Sequence, residues 1–457
     1  MSERKRQLHL NVQATFPGHP AAWRTEAGRR RPGEDIAHFQ AVARAAEKAL
    51  LDAVFQADSP SFTDTYDVPT RSHDPIVLAT AAALVTERVG FILTASTTFN
   101  YPYNLARQML SLDHLSNGRV GWNVVTTANE NASGNFGLAK MPPNTERYVM
   151  AGDFTDAVLK LWDSWEDEAL VGDPVTGVWA DTDRIHAVNH VGPYHSVTGP
   201  LQVPRSPQGR PVLVQAGSSP HGRDFAARYG EVIFTVQTVR EEAAEYYRDL
   251  KDRVRGHGRD PDKVAILPGL SLVIGGTEAE AYRRLDELDQ LETGRSGLES
   301  FALSLGLDPA DLDPDQPFPE RLIPVVQSGT WLRRSTGHAE ARMRLLRERS
   351  VTVREIVARG GGGHYRLVGT PEQVADFMQD WADARAADGF NLFFDLYPAG
   401  LETFAEHVVP ILQKRGLHRR EYEGTTLRDH LGLDRPPNSV AANAGRPIGA
   451  APMRAAD

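Results

Sequence analysis

The chain has 457 residues, no cysteine and a formal net charge of −10 at pH 7, with acidic and basic residues mixed along its length. The lack of cysteine excludes disulfides, thiolate metal sites and cysteine nucleophiles, and the acidic balance argues against a general nucleic-acid binder, which needs a basic stripe. No apolar run is long enough to span a bilayer and no apolar signal core precedes the first predicted strand, so we expect a cytoplasmic protein that does not bind membranes.

Short apolar runs alternate with longer amphipathic segments along most of the chain. The runs lack polar alternation, which is typical of strands buried on both faces of a parallel sheet. Strands are predicted at 8–13, 52–58, 90–96, 120–126, 211–217, 231–236, 265–274 and 391–396. Helices are predicted at 34–51, 74–89, 104–118, 145–165, 220–229, 240–256, 277–291, 370–389 and 401–414. Eight strands with interleaved helices predict an α/β fold, a TIM (β/α)8 barrel with insertions.

Three segments interrupt the repeat and are predicted to be insertions in a single domain that covers residues 1–434. They are 14–33, 166–210, which is expected to hold a small β excursion, and 292–369, which ends near four consecutive glycines at 360–363. Insertions of this length are usually lids or binding loops. Residues 435–457 are rich in Pro, Ala and Gly and are predicted to form a flexible tail.

The carboxyl ends of the predicted strands should meet at the active site, as they do in TIM barrels. His19 follows the first strand, Asp58 ends the second, and "TASTTFNY" (94–101), "NVVTTANEN" (123–131) and "QAGSS" (215–219) end the next three. These residues include no His/Asp/Glu set for a metal hydrolase, no clear carboxylate partner for Asp58 in a glycosidase and no lysine for a Schiff base. A pocket of hydroxyls and amides favours a flat, polar-edged cofactor that carries the chemistry itself.

The segment "SLDHLSNGRVGWNVVTTANENASGNFG" (111–137) resembles the flavin-dependent monooxygenases related to nitrilotriacetate monooxygenase and dibenzothiophene-sulfone monooxygenase, in the bacterial luciferase-like superfamily. Further resemblances lie in "GHPAAWR" (18–24), "QADS" (56–59), "ERYVMAGDFTDAVLKLWDSW" (146–165), "VTGVWAD" (175–181), "QAGSS" (215–219) and "VGTPEQVADFMQDW" (368–381). Each motif is short, but their collinear order over almost the whole chain makes the resemblance specific.

The resemblance implies the fold predicted above and a two-component reaction. A separate NAD(P)H:flavin reductase would supply reduced FMN (FMNH2), and O2 would give one oxygen atom to C, N or S of a small organic substrate and the other to water. It also implies a homodimer or homotetramer. One alternative stays open, an F420-dependent or other flavin-binding oxidoreductase of the same superfamily that is not an oxygenase; a hydrolase without flavin is disfavoured by the missing metal and carboxylate sets.

The resemblance also assigns cofactor contacts. Asp58 and Thr94 would contact the flavin ring and its ribityl chain, Asn123 would face the ring edge, and Tyr148, Ser218 and Ser219 would lie near the phosphate, where a helix N-terminus offers free N–H groups. Asn144 replaces a histidine that is usual in the family, so FMN would bind more weakly unless Arg147 compensates. From the residues alone, Asp58 and the two serines could equally cap helices and Tyr148 could be core.

Two histidines are candidates for acid–base chemistry. His19 follows the first strand, where related enzymes place a histidine near the reactive edge of the flavin, and a neutral imidazole there could take a proton near pH 7. His364, after the four glycines, is a second candidate. The alternative for His19 is an ordinary surface-loop histidine.

Overall fold

A computed structural model describes residues 7–14, 18–19, 21–28, 35–62, 64–65, 68–69, 73–127, 129–217, 219–293, 297–327, 342–343, 345–358 and 363–439. Its main sheet closes into a barrel of eight parallel strands, with a ninth strand paired outside the ring. The strands are β1 (His9–Gln13), β2 (Ala53–Gln56), β3 (Gly90–Ser96), β4 (Val120–Val125), β5 (Val212–Gln215), β6 (Val232–Thr235), β7 (Ala265–Ile274), β8 (Tyr365–Gly369) and β9 (Gly389–Phe394). The predicted TIM barrel is therefore confirmed.

Most of the helices lie around the barrel and fall in the predicted segments. They are α1 (Asp35–Lys48), α2 (Pro75–Ala83), α3 (Pro102–Leu115), α4 (Asn144–Trp162), α5 (Pro220–Tyr229), α6 (Arg240–Gly256), α7 (Glu278–Thr293), α8 (Gly297–Ser304), α9 (Ile323–Gln327), α10 (Val353–Ala358), α11 (Pro371–Asp383), α12 (Ala399–Thr403), α13 (Val409–Lys414) and α14 (Leu427–His430). Proline stands at the first position of α2, α3, α5 and α11, where its missing N–H is harmless. In the described part of the chain, no helix is both long and apolar enough to cross a membrane.

One strand lies inside a predicted insertion. β8 falls within 292–369, but it pairs in parallel with the second half of β7, from Leu270 with Tyr365 to Ile274 with Gly369. The first half of β7 pairs with β6, and β9 lies against residues 269–272. The insertion therefore ends before β8, and β8 extends the wall at the mouth of the barrel.

Two further segments of the predicted domain organisation contain described residues. Residues 166–210 hold two short hairpins, 170–173 with 178–180 and 190–191 with 196–197. At the start of the predicted tail, Arg435 is paired with Asp167 and the Asn438 amide donates to the Asp163 carbonyl at 3.0 Å. Residues 440–457, and 360–362 of the glycine run, lie outside the described residues.

The barrel interior is apolar toward the N-terminal ends of the strands and polar toward their carboxyl ends. Phe55, Ile92, Val214 and Leu267 face inward, and Leu427 of α14 packs with them, so that its Cδ1 would be 2.6 Å from a Cβ at Gly90. α14 thus closes the N-terminal end of the barrel. Because side chains alternate along a strand, residues two positions beyond these apolar ones also face inward. At that level the inward side chains include polar ones, and this polar layer opens toward the mouth.

Buried Asp113 of α3 gives a stability prediction. Its Oδ1 accepts from the Val120 amide at 2.9 Å and from Gln208 Nε2 at 2.7 Å, and burial raises its pKa to about 6. The folded state therefore holds this proton more tightly, and that stabilisation is complete below pH ~4 and lost as the pH rises through about 6. Asn keeps the same acceptor without the charge, so we expect Asp113→Asn to stabilise the protein at pH 8 by up to about 3 kcal/mol.

Thermal unfolding at pH 4.5 and pH 8 tests this expectation. The gain in Tm of Asp113→Asn over the unmodified protein should be large at pH 8 and small at pH 4.5. Asp286→Asn, which removes an exposed carboxylate, is the matched control and should show no such difference. An equal shift of Asp113→Asn at both pH values would contradict a buried, protonatable carboxyl.

Candidate functional site

Hydroxyl and amide groups connect the loops that follow β2, β3 and β4. The Asn129 amide donates to Ser61 Oγ at 2.6 Å and to Ser59 Oγ at 3.2 Å, and Thr127 Oγ1 donates to Ser96 Oγ at 2.8 Å. Thr127 has φ = 46°, an unfavourable conformation for a β-branched residue. Because these cross-linked loops follow the carboxyl ends of three neighbouring strands, they form one wall of the mouth. Backbone strain of this kind is concentrated at functional sites.

Thr94 and Asn123 lie side by side at the top of the barrel interior. They are register partners on β3 and β4, and Asn123 Nδ2 donates to Thr94 Oγ1 at 2.8 Å. Both side chains are buried, yet Asn123 Oδ1 has no hydrogen-bond partner among the described residues. A buried amide oxygen without a donor is costly, so this oxygen fits an N–H group of a bound ring. Asp58 lies two residues beyond the end of β2, the strand next to β3, and is half-buried.

Helices α4 and α5 bring their N-termini together beside the mouth. Ser219 caps α5, with its Oγ accepting from the Gly222 amide at 3.1 Å. Thr145 Oγ1 of α4 lies 3.5 Å from His221 Nε2 of α5, and the Tyr148 ring centroid lies 6.4 Å from that of His221. Two helix N-termini present free N–H groups and partial positive charge, which suits a phosphate.

The other residues that were predicted near the phosphate show fewer features of a phosphate site. Asn144 is the first residue of α4 and is exposed. Arg147 is buried, its Nη1 donates to the Pro142 carbonyl at 2.8 Å, and burial lowers its pKa; its guanidinium is therefore engaged in fixing the start of α4. Ser218 lies outside the described residues. Sequence reasoning missed His221, although an imidazole directly after Ser219-Pro220 at a helix start was a usable signal.

His19 is buried at the mouth, with both ring nitrogens engaged. The Ala21 amide donates to Nδ1 at 3.1 Å, so the proton lies on Nε2, which donates to Asp289 Oδ1 at 3.0 Å. Asp289 belongs to α7, and the Arg24 side chain also donates to the Leu291 carbonyl of that helix. This geometry favours a positioning role, in which His19 fixes α7 over the mouth, above the predicted acid–base role.

A double-mutant comparison separates the two roles of His19. If His19 acts through Asp289, then His19→Ala and Asp289→Ala should each lower kcat/KM by a similar factor, roughly 5- to 20-fold, and the double variant should be no worse than either single one. Steady-state oxygenation assays measure all three. A loss above about 1000-fold in His19→Ala, with Asp289→Ala nearly unchanged, would restore the acid–base role.

A cavity of about 210 Å³ occupies the other side of the mouth. It lies between the loop that holds His19, β7, β8, β9 and α7, and Phe393 stacks on His364 there at 4.5 Å between ring centroids and 23° between ring planes. Arg284 of α7 pairs with Asp395, whose pKa burial raises above its usual value. The lining includes Gly18, His19, Ser271, Val273, Leu285, His364, Arg366, Phe393, Phe394, Asp395 and Tyr397.

The two sides of the mouth together form one site. In the ring order, the predicted flavin residues follow β2, β3, β4 and β5, and the cavity lies by β7, β9 and β1. One half of the mouth therefore offers hydrogen-bonding groups and, at its end, helix N-termini suited to a phosphate. The other half is the cavity, which has an apolar wall and a charged wall. The predicted site residues that the structure describes fall in this mouth or at the helix N-termini beside it.

Comparison with known proteins identifies similar proteins of one enzyme family. Residues 13–388 match the family described as luciferase-like monooxygenase. N-acetyl-S-(2-succino)cysteine monooxygenase of Bacillus subtilis (strain 168) is 41% identical, covering 96% of this chain and all of that protein, and nitrilotriacetate monooxygenase component A of Aminobacter aminovorans is 40% identical, covering 95% and 98%. EDTA monooxygenase from Chelativorans sp. BNC1 superposes with a TM-score of 0.81 at 34% identity, covering 95% of this chain and all of that one.

These similarities confirm the resemblance inferred from the sequence motifs. They also confirm a flavin-dependent monooxygenase and do not favour the F420-dependent alternative, because the two relatives named above are monooxygenases at 41% and 40% identity. Because both its sequence and its barrel match, the chain belongs to the luciferase-like monooxygenase family.

Proposed function

We propose that the protein is the oxygenating component of a two-component system and takes FMNH2 from a separate NAD(P)H:flavin reductase. The observation that carries this proposal is that the N-termini of α4 and α5 meet at Thr145 and His221, on the side of the mouth that also holds the Thr94–Asn123 pair. The helix N-termini would hold the phosphate, and the Thr94–Asn123 pair would hold the ring. The relative named as a component A supports a partner protein.

The residues of the mouth would bind and orient the flavin. Ser219 and the first amides of α5 would hold the phosphate, with the Tyr148 hydroxyl beside them. Asn123 Oδ1 would accept from the ring edge, and Asp58 and Thr94 would contact the ring and the ribityl chain. When bound, reduced flavin supplies the electrons that activate O2 for transfer of one oxygen atom to the substrate.

α7 would keep water away from this reaction. His19, through Asp289, and Asp395, through Arg284, hold the helix against the loop after β1 and the end of β9. Leu285 of the same helix lines the cavity. Exclusion of water strengthens the polar interactions with the reacting groups and prevents loss of the activated oxygen to solvent.

Anaerobic titration with photoreduced FMN and with reduced F420, followed by stopped-flow mixing with O2, tests the proposal. We expect binding of FMNH2 but not F420, flavin reoxidation distinct from that in free solution, and oxygen incorporation when substrate is present. Binding of F420 alone, or reoxidation no different from free flavin, would overturn it. The predicted homodimer or homotetramer and the cytoplasmic location stay predictions, which light scattering and cell fractionation can test.

A further inference from the structure

The ionisable side chains that line the cavity beside β7, β8 and β9 are already engaged. His19 Nε2 donates to Asp289 Oδ1 at 3.0 Å, and Arg284 Nη2 donates to Asp395 Oδ1 at 3.1 Å. Arg366 also has an interaction partner within the structure. A ligand in this cavity would therefore have to break one of these contacts to gain an ion pair.

The environment of Asp395 shows how this cavity treats a negative charge. The Asp395 side chain is 3% exposed, and burial raises its pKa above the usual value although the Arg284 guanidinium lies beside it. The loss of hydration thus outweighs the attraction of a neighbouring cation at this wall. Because Arg366, the arginine of the lining, is engaged, a ligand carboxylate would lose hydration without gaining a new ion pair, which is unfavourable.

The rest of the cavity wall is largely apolar. Val273 of β7 and Leu285 of α7 belong to one buried cluster, and the Phe393 ring stacks on that of His364 with 4.5 Å between ring centroids. An apolar cavity of about 150 Å³ is large enough to bind benzene. The volume of about 210 Å³ found here therefore suits an aromatic ring with a small substituent, or an aliphatic group of similar size.

Ser271 supplies a hydrogen-bonding group within this wall. It lies opposite Phe393 in the register of β7 and β9, lines the cavity and is half-buried. The hydroxyl of Tyr397, which also lines the cavity, donates to the Gln13 carbonyl and accepts from the Phe394 amide. The Ser271 hydroxyl makes no hydrogen bond to any residue that the structure describes, so it can rotate to donate to a ligand atom.

We propose that this cavity binds the substrate as a neutral, mostly apolar molecule with one hydrogen-bond acceptor, to which Ser271 Oγ donates. The apolar part lies against Val273, Leu285 and Phe393, and an anion of the same shape is excluded. This inference rests on the proposed function for the identity of the ligand as substrate. It makes Ser271 a specificity-determining residue, because its hydroxyl fixes one end of an otherwise apolar ligand.

Three probes of nearly the same shape test this preference in ligand-observed NMR titrations of the protein carrying reduced FMN, under anaerobic conditions. Acetophenone is neutral and has one acceptor, ethylbenzene is neutral and has none, and benzoate has a charged oxygen where acetophenone has its methyl group. We expect both neutral probes to bind. Benzoate should bind at least about 30-fold more weakly than acetophenone, because its charge loses hydration without a new ion pair. Nitrilotriacetate, with three carboxylates, should not bind.

Two substitutions test the contacts. Ser271→Ala should weaken acetophenone binding by roughly 3- to 10-fold and leave ethylbenzene binding unchanged, because only acetophenone accepts a hydrogen bond. Leu285→Asn should weaken binding of both, since it places a polar amide in the apolar wall.

Ser111→Ala is the matched control. It removes a hydroxyl on α3 that donates to the Arg107 carbonyl at 2.7 Å, and it should bind both neutral probes as the unmodified protein does. Affinity for reduced FMN and thermal stability, measured first in each protein, should be equal in Ser271→Ala, Ser111→Ala and the unmodified protein.

Two sets of results would contradict the inference. Binding of benzoate or nitrilotriacetate as tight as that of acetophenone would overturn the preference for a neutral ligand, and so would a failure of both neutral probes to bind. An equal loss of acetophenone and ethylbenzene affinity in Ser271→Ala, or no loss of either, would overturn the Ser271 contact.

The flavin measurements keep the two proposals distinguishable. If reduced FMN binds and reacts with O2 but neither neutral probe binds, the oxygenase proposal stands and the cavity inference falls. If reduced FMN does not bind, the oxygenase proposal fails, and the same titrations on flavin-free protein still decide whether the cavity prefers a neutral ligand.

Discussion

Gly222→Ala should weaken FMNH2 binding by roughly 10- to 100-fold while leaving the barrel folded. A Cβ at position 222 would lie 2.8 Å from Tyr148 Oη, 2.9 Å from Gly217 Cα and 3.1 Å from Gly217 C. Two of these neighbours are backbone atoms, so the change must push Tyr148 away or move the turn that precedes α5. Overpacking of this kind typically costs about 1–3 kcal/mol, and the strain falls on the groups proposed to hold the phosphate.

Fluorescence or anaerobic absorbance titration with FMNH2 measures this effect. Gly256→Ala is the matched control, because a Cβ there meets no atom within 4 Å at the end of α6. It should bind the flavin normally. Riboflavin, which lacks the phosphate, should bind Gly222→Ala and the unmodified protein with similar affinity. An equal loss for FMN and riboflavin would show that the damage extends beyond the phosphate end.

The parts of the site that could be predicted from sequence are those that depend on local pattern. Thr94 and Asn123 stand at the ends of unambiguous apolar runs, and the carboxyl ends of parallel strands must meet at one face of a barrel. Their direct hydrogen bond follows from the strand register, which confirms that the two residues lie together. Ser219 was assigned by the family resemblance, and its position before Pro220 agrees with the helix that was predicted to start at residue 220.

The parts that could not be predicted depend on long-range pairing. β8 has only five residues and stands after a long irregular segment, so nothing local indicated that it would pair with β7. Without that pairing, Arg366 could not be assigned to the mouth. The partners of His19 were also hidden, because Asp289 is 270 residues away in sequence and lies on a helix that is otherwise ordinary. Contacts between side chains that are far apart in sequence leave no periodic pattern by which they could be predicted.

The second large effect is expected at Gly269, on the cavity side. A Cβ at this position on β7 would lie 2.2 Å from His364 Nδ1 and 2.6 Å from its Cγ. The His364 ring is already stacked on Phe393, and the Phe234 ring lies 5.1 Å from it. Gly269→Ala must therefore displace the ring toward the cavity. We expect substrate oxygenation to fall by at least about 100-fold, with FMNH2 affinity unchanged, because the phosphate end lies across the mouth.

Adding His364→Ala to Gly269→Ala tests the cause. Removal of the ring should relieve the clash, so the double variant should recover thermal stability lost in Gly269→Ala, about 1–3 kcal/mol for a change of this type. Oxygenation should stay low, because His364 is itself part of the cavity wall. The two glycine variants should therefore behave oppositely. Gly222→Ala should bind flavin weakly, whereas Gly269→Ala should bind flavin and let it be oxidised without transfer of oxygen to the substrate. Loss of flavin affinity in Gly269→Ala would contradict the division of the mouth into a cofactor half and a substrate half.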